Sequence, residues 1–184
     1  MIRFVGGFEN VCDLPNTRFP EYAFAGRSNV GKSSLINALL GVNVARTSNT
    51  PGRTQSLNMF NVNDKFVILD LPGYGYARVS KSDANRWMLR FQEYIMTRSQ
   101  LQRLFILIDS RIGPKTSDLD LIHFCDCNGI AYHIVYTKKD KRVRETDQAA
   151  ITPDEHPAMV GEPIYTSAEK KYGLNTLREI VGIK

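Results

Sequence analysis

The chain has few of the features that mark secreted, membrane-spanning or metal-rich proteins. It carries three cysteines and three histidines in 184 residues, and neither set shows the spacing of a zinc site. Its opening residues lack the basic-then-apolar pattern of a secretory signal, and no stretch reaches the roughly 18 apolar residues of a membrane span. We therefore expect a cytoplasmic protein with reduced thiols and no membrane span.

Charge is also nearly balanced, and repeats and low-complexity segments are missing. Lys and Arg number 24 against 19 for Asp and Glu, which gives a formal net charge of +5. This mild excess is compatible with a polyanionic partner such as RNA but does not identify one. Apolar residues make up 42% of the chain, enough for the packed core of one domain.

Strand-like segments alternate with helical patterns along the chain, which predicts an α/β protein with a mostly parallel sheet between two helical layers. The segments "LNMFNV" and "KFVILD" are joined through Asn63-Asp64, and so short a link requires antiparallel neighbours. The sequence thus predicts a three-layer α/β/α fold with six strands, one of them antiparallel, and helices on both faces. Residues 1–20 are predicted to form an N-terminal arm, either an extended arm or an edge segment, and residues 21–184 a single domain.

A glycine-rich segment, "AGRSNVGKSSL", connects the first predicted strand of this domain to its first helix. Residues 26–33 match the P-loop pattern, and they lie between a predicted strand and a predicted helix, the context that is typical of P-loops. Glycines let backbone N–H groups turn onto phosphate oxygens, the helix N-terminus adds positive charge, the lysine reaches the terminal phosphates and the serine hydroxyl binds Mg²⁺. The predicted phosphate-binding residues are Gly26, Arg27, Ser28, Asn29, Val30, Gly31, Lys32, Ser33 and Ser34.

A second phosphate-binding element is predicted where the strand "FVILD" ends in "LPGYGYARVS". Asp70 is placed to hold a water molecule on Mg²⁺, and Gly73 to donate its backbone N–H to a γ-phosphate. Because that contact is lost when the γ-phosphate leaves, residues 70–82 are predicted to be a switch region. The predicted nucleotide contacts of this element are Asp70, Leu71, Pro72 and Gly73.

Two further loops indicate which base is bound. A carboxylate at Asp140 can accept hydrogen bonds from the guanine N1–H and 2-amino groups, whereas adenine would leave it unpaired, so discrimination of about 10⁴-fold is reasonable. The Lys138 stem can lie along the base, and backbone N–H groups of "TSA" can reach the guanine O6. The predicted base-binding loops, 137–140 and 165–168, consist of Thr137, Lys138, Lys139, Asp140, Tyr165, Thr166, Ser167 and Ala168.

With these motifs the chain resembles the EngB family of ribosome-biogenesis GTP-binding proteins, within the Era-like P-loop GTPases. The likeness covers the chain from Phe19 onward and is carried by "GRSNVGKSSLIN", "TPGRTQ", "DLPGYGYA", "TKKD" and "YTSAEKKYG". Thr137 stands where the wider superfamily has asparagine, and its hydroxyl is expected to brace the P-loop.

The resemblance implies a Ras-like G domain that binds GTP and GDP with Mg²⁺ and hydrolyses GTP as a molecular switch. It also implies a role in assembly of the large ribosomal subunit and, in bacteria, a requirement for normal cell division and septation. The partner would be the large-subunit particle or ribosomal RNA. We expect a monomer that does not bind DNA.

By the same resemblance, residues 42–56 form the first switch region, and Thr54 completes the coordination of Mg²⁺. Thr47 and Thr50 are interpreted as polar loop residues, and Arg53 as a contact to phosphate or RNA or as a solvated side chain. The predicted nucleotide contacts here are Gly52, Arg53, Thr54, Gln55 and Ser56, and the predicted metal ligands of the whole site are Ser33, Thr54 and, through water, Asp70.

Hydrolysis is predicted to be slow, because Tyr74 occupies the position where many GTPases have a water-orienting glutamine. Gln55 is a minor alternative for that role, and inward packing of Tyr74 and Tyr76 is an open alternative to their exposure. Asn29 corresponds to an asparagine that helps to hold K⁺ in Era-like proteins, which suggests K⁺-stimulated hydrolysis. The predicted catalytic residues are Lys32, Thr54, Gly73 and Asn29.

Two other functions stay open on the sequence. One is an RNA-binding assembly factor in which the nucleotide is structural. The other is a P-loop kinase for a small metabolite, although an Arg-rich lid is missing and "TKKD" and "TSA" would then be unexplained. The basic residues near the base loops are either a solvated face or RNA contacts; they are Lys138, Lys139, Lys141, Arg142, Arg144, Lys170 and Lys171.

Overall fold

A computed structural model describes residues 1–45, 56–75, 81–141 and 151–183. The strands are β1 (Ile2–Phe8), β2 (Glu21–Gly26), β3 (Leu57–Val62), β4 (Phe66–Asp70), β5 (Leu101–Asp109), β6 (Tyr132–Thr137) and β7 (Ile164–Tyr165). The helices are α1 (Lys32–Leu40), α2 (Lys81–Thr97), α3 (Thr116–Cys127) and α4 (Leu174–Val181), and a 3-10 turn spans Val11–Asp13.

The strands form one sheet in the order β1-β3-β4-β2-β5-β6-β7. Strands β4, β2, β5, β6 and β7 pair in parallel, and β3 is antiparallel to both of its neighbours. The mostly parallel sheet with one reversed strand is therefore confirmed, but it has seven strands in the described residues where six were predicted. The additional strand is β1, inside the predicted N-terminal arm, and it pairs with β3 along the sheet edge.

The antiparallel hairpin between β3 and β4 is confirmed, but its loop has three residues, 63–65, one more than the predicted Asn63-Asp64 link, because Val62 pairs with Phe66. Asn63 and Asp64 both have left-handed backbone angles, with φ of 56° and 53°. This is the conformation that type I′ turns require, and Asn and Asp tolerate it better than most residues. The turn reverses β3 against β4 and leaves β4 parallel to β2.

Two apolar layers cover the sheet. One face packs against α1 and α4, through Leu35, Ile36 and Leu177, and the other packs against α2 and α3, through Tyr94 and Leu121. All five side chains are at most 1% exposed. Because the helices cover both faces, the central strands are buried on both sides, as β4 and β6 show along their whole length.

Among the described residues, no helix combines the length and the apolar character that crossing a membrane would require.

Candidate functional site

The parallel strands bring the predicted motifs together at one edge of the sheet. Strands β2, β4, β5 and β6 end at Gly26, Asp70, Asp109 and Thr137, and their carboxyl ends are neighbours in the sheet. Ligands of open α/β sheets bind outside this edge. The order of the strands thus places the P-loop between the Asp70 loop and the base loops.

The P-loop follows β2 as a tight turn that ends at the N-terminus of α1. Gly31 has a φ of +100° and immediately precedes the helix, and Asn29 has a φ of 62°. A side chain at Gly26 would meet Val30 Cγ1 at 2.8 Å, so only glycine fits the closed base of the loop. The loop can therefore turn successive N–H groups toward an anion at the start of α1.

Lys32 and Asp70, the residues predicted to serve phosphate and the Mg²⁺-bound water, form a buried ion pair with each other. Their side chains are only 9% and 4% exposed. A phosphate group is opposite in charge to Lys32, and a metal ion is opposite in charge to Asp70. Binding of both would therefore separate the two side chains. The pair therefore fits the predicted phosphate and metal site, and its partners must exchange when a ligand binds.

The segment after Asp70 lies against the P-loop. Tyr74 accepts a backbone hydrogen bond from Ser28 at 2.9 Å and donates one to the Gly26 carbonyl at 3.3 Å. A Cβ on Gly73 would lie 3.1 Å from the Ser28 Cα, so the two loops are in close contact there. Gly73 is thus adjacent to the loop that would hold the phosphates.

The Tyr74 side chain packs inward, which confirms the alternative reading for this residue. It is 6% exposed, and its hydroxyl donates to Asp118 Oδ1 at 2.8 Å. Burial raises the pKa of Tyr74 well above its usual value, with a further contribution from Asp118, and burial also raises the pKa of Asp118. In this position the phenol is held by a carboxylate and does not orient water. Tyr76 lies outside the described residues.

The base loops are linked to the P-loop by two side chains. The buried Thr137 hydroxyl donates to the Val30 carbonyl at 2.6 Å. The Lys138 ammonium donates to the Asn29 carbonyl at 2.7 Å and to Asp109 Oδ2 at 2.9 Å. The phosphate and base halves of the site are therefore connected by direct hydrogen bonds.

The two base loops also bond to each other. The Lys139 N–H donates to the Thr166 carbonyl at 3.0 Å. A hydrogen bond from Ser167, followed by one from Lys141, lowers the pKa of Asp140. Asp140 is thus held as a carboxylate, the form that can accept hydrogen bonds from guanine.

The side chain of Tyr165, the first residue of the second base loop, is exposed and does not point into the core. Its ring stacks on Tyr136 with centroids 5.0 Å apart, and the Lys139 ammonium lies 4.9 Å from its centroid. Ala168 follows the buried Thr166 and Ser167. Ser33 and Ser34 lie in the first turn of α1, and Arg27 reaches over to the Gly75 carbonyl at 3.4 Å.

The first switch region lies mostly outside the described residues, as do several side chains considered above. Ser56 is described, and its hydroxyl donates to Asn58 Oδ1 at 3.2 Å. The residues outside the described ranges are Thr47, Thr50, Gly52, Arg53, Thr54, Gln55, Arg142 and Arg144.

Asp109 belongs to the site although the sequence motifs did not indicate it. It ends β5, is 7% exposed, and accepts hydrogen bonds from Arg111 Nη2 at 2.7 Å and from Lys138. Burial would raise its pKa, but the hydrogen bonds from Arg111 and Lys138 prevail and lower it. The available signal was its position as the last residue of β5, at the same edge of the sheet as Gly26 and Asp70.

A cavity of about 140 Å³ lies between the P-loop and the connection from β5 to α3. Its lining combines charged side chains with P-loop residues; among them are Arg27, Ser28, Asn29, Asp109, Arg111 and Asp118.

Comparison with known proteins matches residues 21–138 to a family model described as "50S ribosome-binding GTPase". The probable GTP-binding protein EngB of Roseobacter denitrificans is 42% identical, with 97% of this chain and 85% of that protein covered. The probable GTP-binding protein EngB of Porphyromonas gingivalis is 43% identical, with 97% and 92% covered.

Solved structures show the same fold. A crystal structure of a probable GTP-binding protein EngB is similar with a TM-score of 0.67 at 20% identity, covering 89% of this chain and 97% of that chain. A variant of Aquifex aeolicus Era bound to GDP and AlF₄⁻ also gives a TM-score of 0.67, at 25% identity, covering 91% and 57%. The architecture is therefore that of a P-loop G domain.

Proposed function

Because the chain belongs to the EngB family of GTP-binding proteins, within the ribosome-binding GTPases, we propose that it binds GTP and GDP at the sheet edge and hydrolyses GTP slowly as a switch. The observation that carries this proposal is the direct linkage of the P-loop to the base loops. Thr137 and Lys138 both donate to P-loop carbonyls, so one nucleotide could lie across both halves.

On the phosphate side, the P-loop amides and Lys32 would neutralise the phosphates. Mg²⁺ would be held by Ser33 and Thr54 and, through water, by Asp70, and it would supply positive charge to offset that of the phosphates. The Gly73 N–H would serve the γ-phosphate. The buried pairing of Lys32 with Asp70 supports these assignments, since each group is already matched to a partner of opposite charge.

On the base side, Asp140 would accept the N1–H and 2-amino groups of guanine. The test is a base swap in which Asp140→Asn and the native protein are titrated with GDP, XDP and ADP in Mg²⁺. We expect native protein to prefer GDP over ADP by about 10⁴-fold, and Asp140→Asn to favour XDP, because an amide can donate to the xanthine 2-oxo group. An unchanged preference in the variant would remove Asp140 from the base site.

Slow hydrolysis follows from the Tyr74 side chain, which is bonded to Asp118 and leaves the glutamine position without a water-orienting group. Asn29 is exposed on the P-loop and could place an oxygen beside K⁺. We expect faster turnover in potassium than in sodium buffer and a loss of this difference in Asn29→Ala. Equal turnover in the two buffers would exclude a K⁺ role.

The cellular role would be in assembly of the large ribosomal subunit, with an effect on division and septation, for a cytoplasmic monomer. The second candidate is an RNA-binding factor in which nucleotide is structural, and the exposed Lys139 and Lys141 beside the base loops favour an RNA contact in either case. Sedimentation with large-subunit particles separates the two. A switch associates more strongly with GTP than with GDP, whereas a structural nucleotide makes no difference.

A further inference from the structure

The loop that follows Asp70 is anchored to the two helices behind it by three side chains. The Trp87 indole N–H donates to the Pro72 carbonyl at 2.8 Å, and the Tyr74 hydroxyl donates to Asp118 Oδ1 at 2.8 Å. The rings of Tyr74 and Trp87 are in contact, with centroids 4.9 Å apart. We call Tyr74, Trp87 and Asp118 the latch.

Two members of the latch, Trp87 and Asp118, are themselves held by further contacts on α2 and α3. Trp87 lies on α2 and stacks on the buried Phe91, with ring centroids 5.1 Å apart. Asp118 lies on α3, is 1% exposed, and uses its second oxygen to accept the Lys115 N–H at 2.8 Å. Neither partner can move far without exposing apolar surface or leaving a buried polar group unpaired.

The same loop touches the P-loop on its other side. Gly73 lies between Pro72, whose carbonyl accepts from Trp87, and Tyr74. A Cβ on Gly73 would lie 3.1 Å from the Ser28 Cα, and the Ser28 N–H donates to the Tyr74 carbonyl at 2.9 Å. Backbone contacts with the P-loop therefore hold Gly73 on one side, and the latch holds it on the side of α2 and α3.

We propose that Trp87 and Asp118 are positioning residues for Gly73, acting through the Pro72 carbonyl and the Tyr74 hydroxyl. The inference rests on the proposed function, in which the Gly73 N–H serves the γ-phosphate. Since GDP has no γ-phosphate, a latch that places this N–H supports GTP binding selectively. A latch that served only the stability of the fold would not distinguish GTP from GDP.

The test removes one hydroxyl. In Tyr74→Phe the ring contact with Trp87 is kept and the bond to Asp118 is lost. We expect the affinity for a non-hydrolysable GTP analogue, titrated with Mg²⁺, to fall about fivefold to tenfold, and the affinity for GDP to stay within about twofold. Trp87→Phe keeps an aromatic ring, removes the donor to Pro72, and should show the same selective loss.

Tyr132→Phe is the matched control. Tyr132 is fully buried and its hydroxyl also donates to an aspartate of α3, Asp126, at 3.1 Å. Asp126 lies in the last turn of α3, whereas Asp118 lies in the first. This variant should lose comparable stability, measured by denaturant unfolding, and bind both nucleotides as the native protein does.

The outcomes distinguish a failure of the latch proposal from a failure of the proposed function. Equal losses for both nucleotides, no loss, or tighter GTP binding in Tyr74→Phe would overturn the latch while leaving the proposed function intact. Native protein that binds neither nucleotide would overturn the proposed function and the latch with it. Should Tyr74→Phe not fold, Trp87→Phe decides the question by the same ratio of affinities.

Discussion

The base side and the phosphate side of this site are held in different ways. On the base side, hydrogen bonds between neutral groups join the loops, from the Thr137 hydroxyl to the Val30 carbonyl and from the Lys139 N–H to the Thr166 carbonyl, and the ion pair of Lys138 with Asp109 lies beside them. On the phosphate side, the buried charges of Lys32 and Asp70 satisfy each other. At the proposed site, recognition of the base would therefore need little rearrangement, whereas binding of phosphate and metal would separate the ion pair of Lys32 and Asp70. From this difference we propose that the switch lies on the phosphate side.

The largest effect is expected from breaking the phosphate-side pair. Lys32→Met leaves the Asp70 carboxylate buried without its partner, which should cost roughly 3 to 5 kcal/mol of unfolding free energy. The measurement is denaturant unfolding without nucleotide. Adding Asp70→Asn to this variant should recover part of the loss, because the uncompensated charge is then gone. Additive losses in the double variant would contradict a direct coupling of the two side chains.

On the base side, the largest loss of stability is expected from a substitution at Gly173, just before α4. It has a φ of +70°, and a Cβ there would lie 2.1 Å from the Tyr165 carbonyl oxygen, so the loop that carries Thr166 must shift. We expect Gly173→Ala to lose about 3 kcal/mol of stability and to weaken GDP binding. Gly182→Ala is the control, since its φ of +78° is similar but its Cβ would meet open space; only about 1 kcal/mol of backbone strain should appear. Similar losses in the two variants would show that the carbonyl contact is unimportant.

A smaller effect is expected at the link between the two sides. Thr137→Val removes a buried hydroxyl of nearly the same volume and leaves the Val30 carbonyl without this donor, which should cost about 1.5 kcal/mol. The control is Thr97→Val, whose exposed hydroxyl donates to the Glu93 carbonyl at the same distance of 2.6 Å. Its loss should be within about 0.5 kcal/mol. Thermal unfolding of both variants measures the difference, and equal shifts would contradict the bracing role.

The smallest expected effect is a pH dependence of the stability that arises from His133 on β6, the strand that leads to the base loop 137–140. Burial, with a contribution from Arg103, lowers the pKa of His133 on β6 from 6.5 to about 4. The unfolded chain therefore binds a proton that the folded chain does not, so stability falls as pH decreases from 6.5 toward 4. We expect a loss of about 1 kcal/mol between pH 7 and pH 5 from this residue, after allowance for solvent screening. The loss should be smaller in His133→Phe, and an identical pH profile in that variant would exclude His133 as its source.

Much of this comparison could be predicted from the sequence, because the motifs depend on local chemistry. The P-loop was predicted from the spacing of its glycines, and the β3–β4 hairpin from the short link at Asn63-Asp64. Gly31, Asn63 and Asp64 all have the left-handed backbone angles that these residue types tolerate. Strand β1 lies in the segment that was predicted to be an extended arm or an edge segment. Its pairing with β3 depends on an edge that only the folded sheet provides.

The remaining parts depend on contacts between residues distant in sequence. Asp118 and Trp87 carry no motif, and their importance arises from meeting the segment after Asp70 in three dimensions. The burial of Tyr74 was open for the same reason, since its flanking glycines suit either an exposed or a buried side chain. Asp109 was overlooked because its contact with Lys138, 29 residues along the chain, forms only when β5 and β6 are adjacent in the sheet.

The most direct test of the account is calorimetric titration of the native protein with Mg²⁺ and either GDP or ADP. We expect saturable heat at one nucleotide per chain with GDP and no measurable binding of ADP at the same concentrations. Equal binding of the two nucleotides would contradict base recognition by Asp140, and no heat with GDP would contradict a guanine-nucleotide site at this edge of the sheet.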